Sequence, residues 1–151
     1  MPLIGRDKVD KAIEARYLKA NDDLLKIYLR GMANIIKDTP VDKGTARNNW
    51  FFSIGAPSSA ITTSSSNGLA TIRELRKVPK RVLNRKLYLT NNLPYIGVLE
   101  YGGYPSPVKK GSYIKSLKKY QKLSSGGFSL QAPGGWVRKA LMTMQSDIRK
   151  L

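Results

Sequence analysis

A chain of 151 residues, 41% hydrophobic and 25% charged, has the size and mixture of one compact domain with apolar material for a single core. Its 27 Lys and Arg against 10 Asp and Glu give a formal charge of +17, which draws anionic polymers, and it contains no cysteine and no histidine. Disulfide frameworks, thiol nucleophiles, cysteine-based zinc sites and any imidazole base or ligand are thereby excluded. The longest apolar runs are a handful of residues and the start, MPLIGRDKVD, lacks a signal-peptide core, so the expectation is a soluble cytoplasmic protein with no membrane span.

From about Asp7 to Lys37, apolar residues recur at three-and-four spacing (Val9, Ile13, Tyr17, Leu24, Tyr28, Met32, Ile35), which predicts one long helix over 7–37. Such a helix is about 45 Å long at ~1.5 Å per residue, more than a small domain's own core requires. Either it kinks or something outside the domain covers one end. Pro40 ends it, and Asp42-Lys43-Gly44 supplies a turn. Trp50 to Ile54, aromatic and β-branched, reads as a strand. The Ser/Thr-rich stretch 57–66 reads as a surface connection. Leu69, Ile72, Leu75 and Val78 then predict a short helix ending before Pro79.

Leu87 to Thr90 alternates weakly as a second strand. Pro94 opens one or two helical turns closed by Gly102-Gly103. Over 104–127 six lysines without an acid are interleaved with apolar residues and flanked by Pro and Gly, which reads as a basic excursion that orders only against a partner. A final helix over 135–151 presents Val137, Ala140, Leu141, Met144 and Ile148 on one side. The fold class expected is α+β, one domain: a long N-terminal helix, a small antiparallel sheet, short helices and a C-terminal helix.

The charge is uneven. Residues 1–42 hold eight cations and seven acids, while 43–151 hold nineteen cations against Glu74, Glu100 and Asp147. Catalysis by paired carboxylates needs two acids held together, and these three are widely separated in sequence. Glu100, in an apolar and aromatic segment, is read as the ion-pair partner of a nearby Lys or Arg. Asp22 and Asp23 are read as solvent-facing or interface charges. The glycine pairs at 126–127 and 134–135 lack the spacing and lysine of a phosphate-cradling loop. No catalytic signature, metal site or cofactor site emerges. Two basic stretches remain, with Arg73, Arg76, Lys77, Lys80 and Arg81 in one and Lys109, Lys110, Lys115, Lys118, Lys119 and Lys122 in the other. They are candidates to face DNA without reading its sequence, or an acidic protein; a solvated face is the plain alternative.

Four segments in order carry a resemblance: Thr39-Pro40-Val41-Asp42-Lys43-Gly44-Thr45-Ala46-Arg47-Asn48-Asn49-Trp50, then Leu89 to Tyr95 with Asn91, Asn92 and Pro94, then Leu99-Glu100-Tyr101-Gly102-Gly103-Tyr104-Pro105, and Gln131-Ala132-Pro133-Gly134-Gly135-Trp136-Val137-Arg138. Together they resemble the tail-component family of long-tailed bacteriophages, the neck or tail-completion proteins. The likeness runs from about residue 30 to the C-terminus; Trp136 departs from the family's usual Met, and the lysine-rich stretch is longer and more basic than in similar proteins. The resemblance implies a non-enzymatic virion protein that forms a homo-oligomeric ring, six copies in preference to twelve. Its expected neighbours are the connector, head-closure, tail-terminator or tail-tube proteins, and viral DNA passes through it. The virion, with the host cytoplasm during assembly, is the implied location. The alternative reading is a nonspecific basic nucleic-acid-binding protein. Physically, Thr39 to Gly44 stops the long helix, Arg47 and Trp50 launch the first strand, and Asn91-Asn92 with Pro94 turns a strand into a short helix.

Overall fold

A computed structural model describes residues 5–41, 43–64, 68–102, 112–121 and 134–151. It is α+β, as the sequence leads one to expect. Helix α1 spans Arg6–Asp38, α2 Thr45–Asn48, α3 Leu69–Glu74 with a 3-10 turn at Leu75–Lys77, α4 Ile96–Tyr101 and α5 Trp136–Ile148. Strands β1 (Phe51–Ile54) and β2 (Leu87–Thr90) form an antiparallel pair with Phe52 opposite Leu89 and Ile54 opposite Leu87. A second antiparallel pair joins β3 (Ser112–Ile114) to β4 (Lys119–Gln121).

The core forms where the later half of α1 meets this pair and α5. Met32, Ile35 and Ile36 from α1 bury against Trp50, Phe52, Leu75 and Trp136, with Leu87, Leu89, Val137 and Ala140 around them. The alternation in β1 and β2 directs Phe52, Leu87 and Leu89 to one face, so four-residue strands suffice to close this core. Helices α1 and α5 pack closely because residue 31 is glycine: a Cβ there would stand 2.1 Å from Met144 Sδ. Arg30 and Asp147 pair beside that contact.

Helix α1 is an uninterrupted 33-residue rod, about 50 Å at ~1.5 Å per residue. It does not kink, and every residue from Gly5 to Ala20 is exposed. Three expectations change. Residues 45–48 form a helical turn started by Gly44 at φ 85°, so Arg47 lies in α2 and does not begin the strand. Within the lysine-rich stretch, residues 112–121 form the β3–β4 ladder, whose turn includes Lys118 at φ 48°. The last helix is shorter, ending at Ile148.

Candidate functional site

The four motif segments meet through side chains that bind backbone. At the end of α1, Thr39 Oγ1 donates to the Ile35 carbonyl at 2.6 Å and accepts from Trp50 Nε1 at 2.8 Å. Thr39 is fully buried, and Pro40 follows it where the helix can no longer continue. Arg47 reaches back from α2 and donates to the carbonyls of Lys37, at 2.6 Å, and Thr39, at 3.1 Å, satisfying groups the helix leaves open. Asn49 ties α2 to the Ser/Thr-rich connection, donating to the Thr45 and Thr62 carbonyls and accepting from Thr62 N–H. Gly68 is buried at φ 80°, and a Cβ on it would stand 2.5 Å from Arg47 Cδ, so the start of α3 packs directly on the same arginine.

The second segment joins the first. Asn91 donates to the Ala46 carbonyl at 2.9 Å and accepts from Leu93 N–H at 3.2 Å, so it both braces and turns the chain. Asn92 donates to the carbonyls of Ser58 and Ala60, holding the connection against the body. Pro94 and Tyr95 are exposed; Tyr95 is the N-cap residue of α4, one position after the proline expected to open it. Gly102, at φ 76° and ψ −156°, ends α4 by donating to the Val98 carbonyl.

The third segment meets the fourth at Glu100. Its side chain is 7% exposed, and its carboxylate accepts from Val137 N–H at 3.0 Å, Arg138 N–H at 3.1 Å and Arg138 Nε at 3.1 Å. Gly135, the N-cap residue of α5 at φ 72°, has no side chain to cap the helix, so Glu100 caps it from another element. The Glu100 carbonyl also accepts from Gly135 N–H at 2.9 Å and from Arg138 Nη2 at 3.3 Å. The guanidinium of Arg138 lies over the Tyr101 ring, 5.0 Å from its centroid. The ion pair expected for Glu100 is present, and its larger contact is with the helix backbone.

Of the basic candidates, Arg73, Arg76, Lys77, Lys80, Arg81, Arg85 and Lys86 are all exposed on and after α3. Lys77 pairs with Glu74 at 2.7 Å. Lys115, Lys118 and Lys119 are exposed on the β3–β4 hairpin. Asp42, Lys109, Lys110, Lys122, Ala132 and Pro133 lie outside the described residues.

Asn21 is a determinant that the sequence reading passed over. Buried in the middle of α1, it donates to the Lys80 carbonyl at 2.7 Å and accepts from Val82 N–H at 2.8 Å, fixing the start of the strand-ward segment onto the rod. The signal available was a lone Asn on a helix face otherwise apolar or charged. Beside it, the Lys19 ammonium, hydrogen-bonded at 2.9 Å, holds the Asp23 carboxyl below the usual range; partial burial opposes this and Lys26 adds to it.

Two concavities flank the α1–α5 contact. One, of about 410 Å³, is lined by apolar residues with Arg85 beside them. The other, of about 320 Å³, is lined by Arg30, Asn34, Asp38, Lys139, Asp147 and neighbours. Among the described residues no group of three or more acids stands together to hold a metal ion, and no helix is long and apolar enough to cross a membrane. Compared with protein-family models, curated proteins and solved structures, the chain matches none.

Proposed function

We propose that the chain is a structural component of a long-tailed phage particle, placed at the head-to-tail joint. There it forms a closed ring, six copies in preference to twelve, between head connector and tail tube, and DNA passes through it. The observation that carries this reading is that the residues of the four phage-like segments act as braces: Thr39, Arg47, Asn91 and Glu100 each close a backbone end of another element. That is the work of a framework rather than a reaction centre. Two further features support it. The sixteen-residue exposed end of α1 is surplus to the domain's own core, and an interface between identical subunits gives it a use. The cations of 73–86 face outward, which suits sequence-blind contact with DNA.

The test is to delete the gene from the phage that carries it and examine the particles. Unjoined heads and tails, restored by the gene in trans, are expected, with the chain found by mass spectrometry in complete virions. Infectious particles assembled without it would overturn the reading. The seven outward cations with a single ion pair among them also favour a second reading, a nonspecific nucleic-acid-binding protein. Tight DNA binding by the isolated monomer, falling steeply with salt, in a chain absent from particles would select that one.

A further inference from the structure

The exposed end of α1 carries an apolar stripe with nothing against it. Val9, Ile13 and Tyr17 recur at every fourth residue, 58%, 62% and 43% exposed. At about 100° per residue, Asp10 and Glu14 run along one edge of that stripe. A helix of this length is marginal in water unless an apolar face is covered.

The same chain also holds an open apolar cleft. It is lined by Tyr28, Met32, Trp50, Leu89 and Leu141, encloses about 410 Å³ and so has room for several side chains. Leu141, at its rim, is 47% exposed, and Arg85 lines it, with Lys86 adjacent in sequence. Stripe and cleft therefore match in chemistry: apolar against apolar, with acids beside the one and cations beside the other.

They cannot meet within one copy. Tyr28, Met32 and Ile35 of the cleft belong to α1 itself, and the first turns of a continuous rod cannot fold back onto its later turns. We propose that the Val9–Ile13–Tyr17 stripe of one copy seats in the Tyr28–Leu89–Leu141 cleft of the next. This rests on the ring reading and specifies its interface: the donor surface differs from the acceptor surface, so the contact is head-to-tail, the kind that closes into rings.

Because the chain has no native cysteine, disulfide trapping reads the contact cleanly. One set of full-length chains carries Val9→Cys, Ile13→Cys or Tyr17→Cys, and another carries Leu141→Cys. Mild oxidation of an equimolar donor and acceptor mixture should give a mixed dimer as the main covalent product, with far less from either chain alone. A chain with both Ile13→Cys and Leu141→Cys should give a ladder that stops at the ring number. No mixed dimer from any of the three donor positions, or Ile13→Cys joining to itself as readily as to Leu141→Cys, overturns the proposal. Failure here in a protein found in virions leaves the neck reading intact and rejects the interface. A mixed dimer from a protein absent from virions keeps the interface and rejects the neck.

Discussion

Replacing Glu100 tests whether the motif residues are braces. Its carboxylate accepts three hydrogen bonds, two of them from the free N–H groups at the start of α5, and its side chain is almost wholly covered. Loss of a helix cap costs about 1 kcal/mol, and a buried charge-assisted hydrogen bond contributes ~1.5–3 kcal/mol. Arg138 is half exposed, so its own pairing adds only about 0.5 kcal/mol. Glu100→Ala should therefore cost about 3 kcal/mol, with part of that from backbone donors left buried and unpaired. For a domain of this size that lowers Tm by roughly 6–12 °C, at ~2–4 °C per kcal/mol. Glu100→Gln keeps the shape but turns an amide toward N–H groups, and should recover less than half of the loss. Arg138→Ala alone should cost under about 1 kcal/mol. Urea unfolding followed by far-ultraviolet circular dichroism measures all three. If both Glu100 variants fall within about 0.5 kcal/mol of the parent, the range of an ordinary surface change, Glu100 is not a brace and the framework argument fails.

Asn21→Ala removes both bonds to the segment at 80–82 and leaves a buried carbonyl and N–H unsatisfied, for a loss of about 2–3 kcal/mol in the same unfolding experiment. Gly31→Leu should cost ~1–3 kcal/mol by forcing α5 off α1, and Met144→Ala should relieve much of it; an additive double variant would refute the close approach. Changing Lys115, Lys118 and Lys119 together to Glu should leave the unfolding midpoint within error, since all three are exposed, while blocking the joining of heads to tails in a complementation assay. Normal infectivity in that variant would remove any contact role for the hairpin.

Most of the fold was legible because its signals are local. The apolar spacing of α1, the aromatic run of β1 and the alternation of β2 lie within single elements, and the structure places each within a residue or two of expectation. Helix α2 was hidden because four residues carry no periodicity; only Gly44, at φ 85°, starts it. The β3–β4 ladder was hidden for another reason: its lysines argued for repulsion, whereas the cross-strand register, with Tyr113 opposite Tyr120, is a property of pairing that a single strand does not display. The braces were visible as residues but not as roles. Asn91 and Asn92 read as turn formers, and Asn91 is one, yet their donors also reach Ala46, Ser58 and Ala60, more than thirty residues away. Arg47 read as the start of a strand because nothing in its neighbourhood says that the carbonyls at the end of α1 lie within its reach.

The braces also decide where the charge goes. Each acid after residue 43 is spent inside the protomer: Glu74 on Lys77, Glu100 on Arg138 and α5, and Asp147 on Arg30 and Lys150. None of them lies near the remaining cations of 73–86, so that surface keeps its positive field undiminished. The exposed Asp7 and Glu14 sit instead on the free end of α1, where the described residues offer them no ion pair. If that end inserts into the next copy, these acids are drawn into the contact between protomers, beside Arg85, and the assembled ring presents even less negative charge than the sum of its parts. Closing the ring would thus sharpen the contrast between a neutral seam and a cationic face. A salt-dependent, sequence-blind attraction for DNA should accordingly be stronger per protomer in the assembly than in the monomer, and a monomer trapped by Leu141→Arg should show the weaker salt slope.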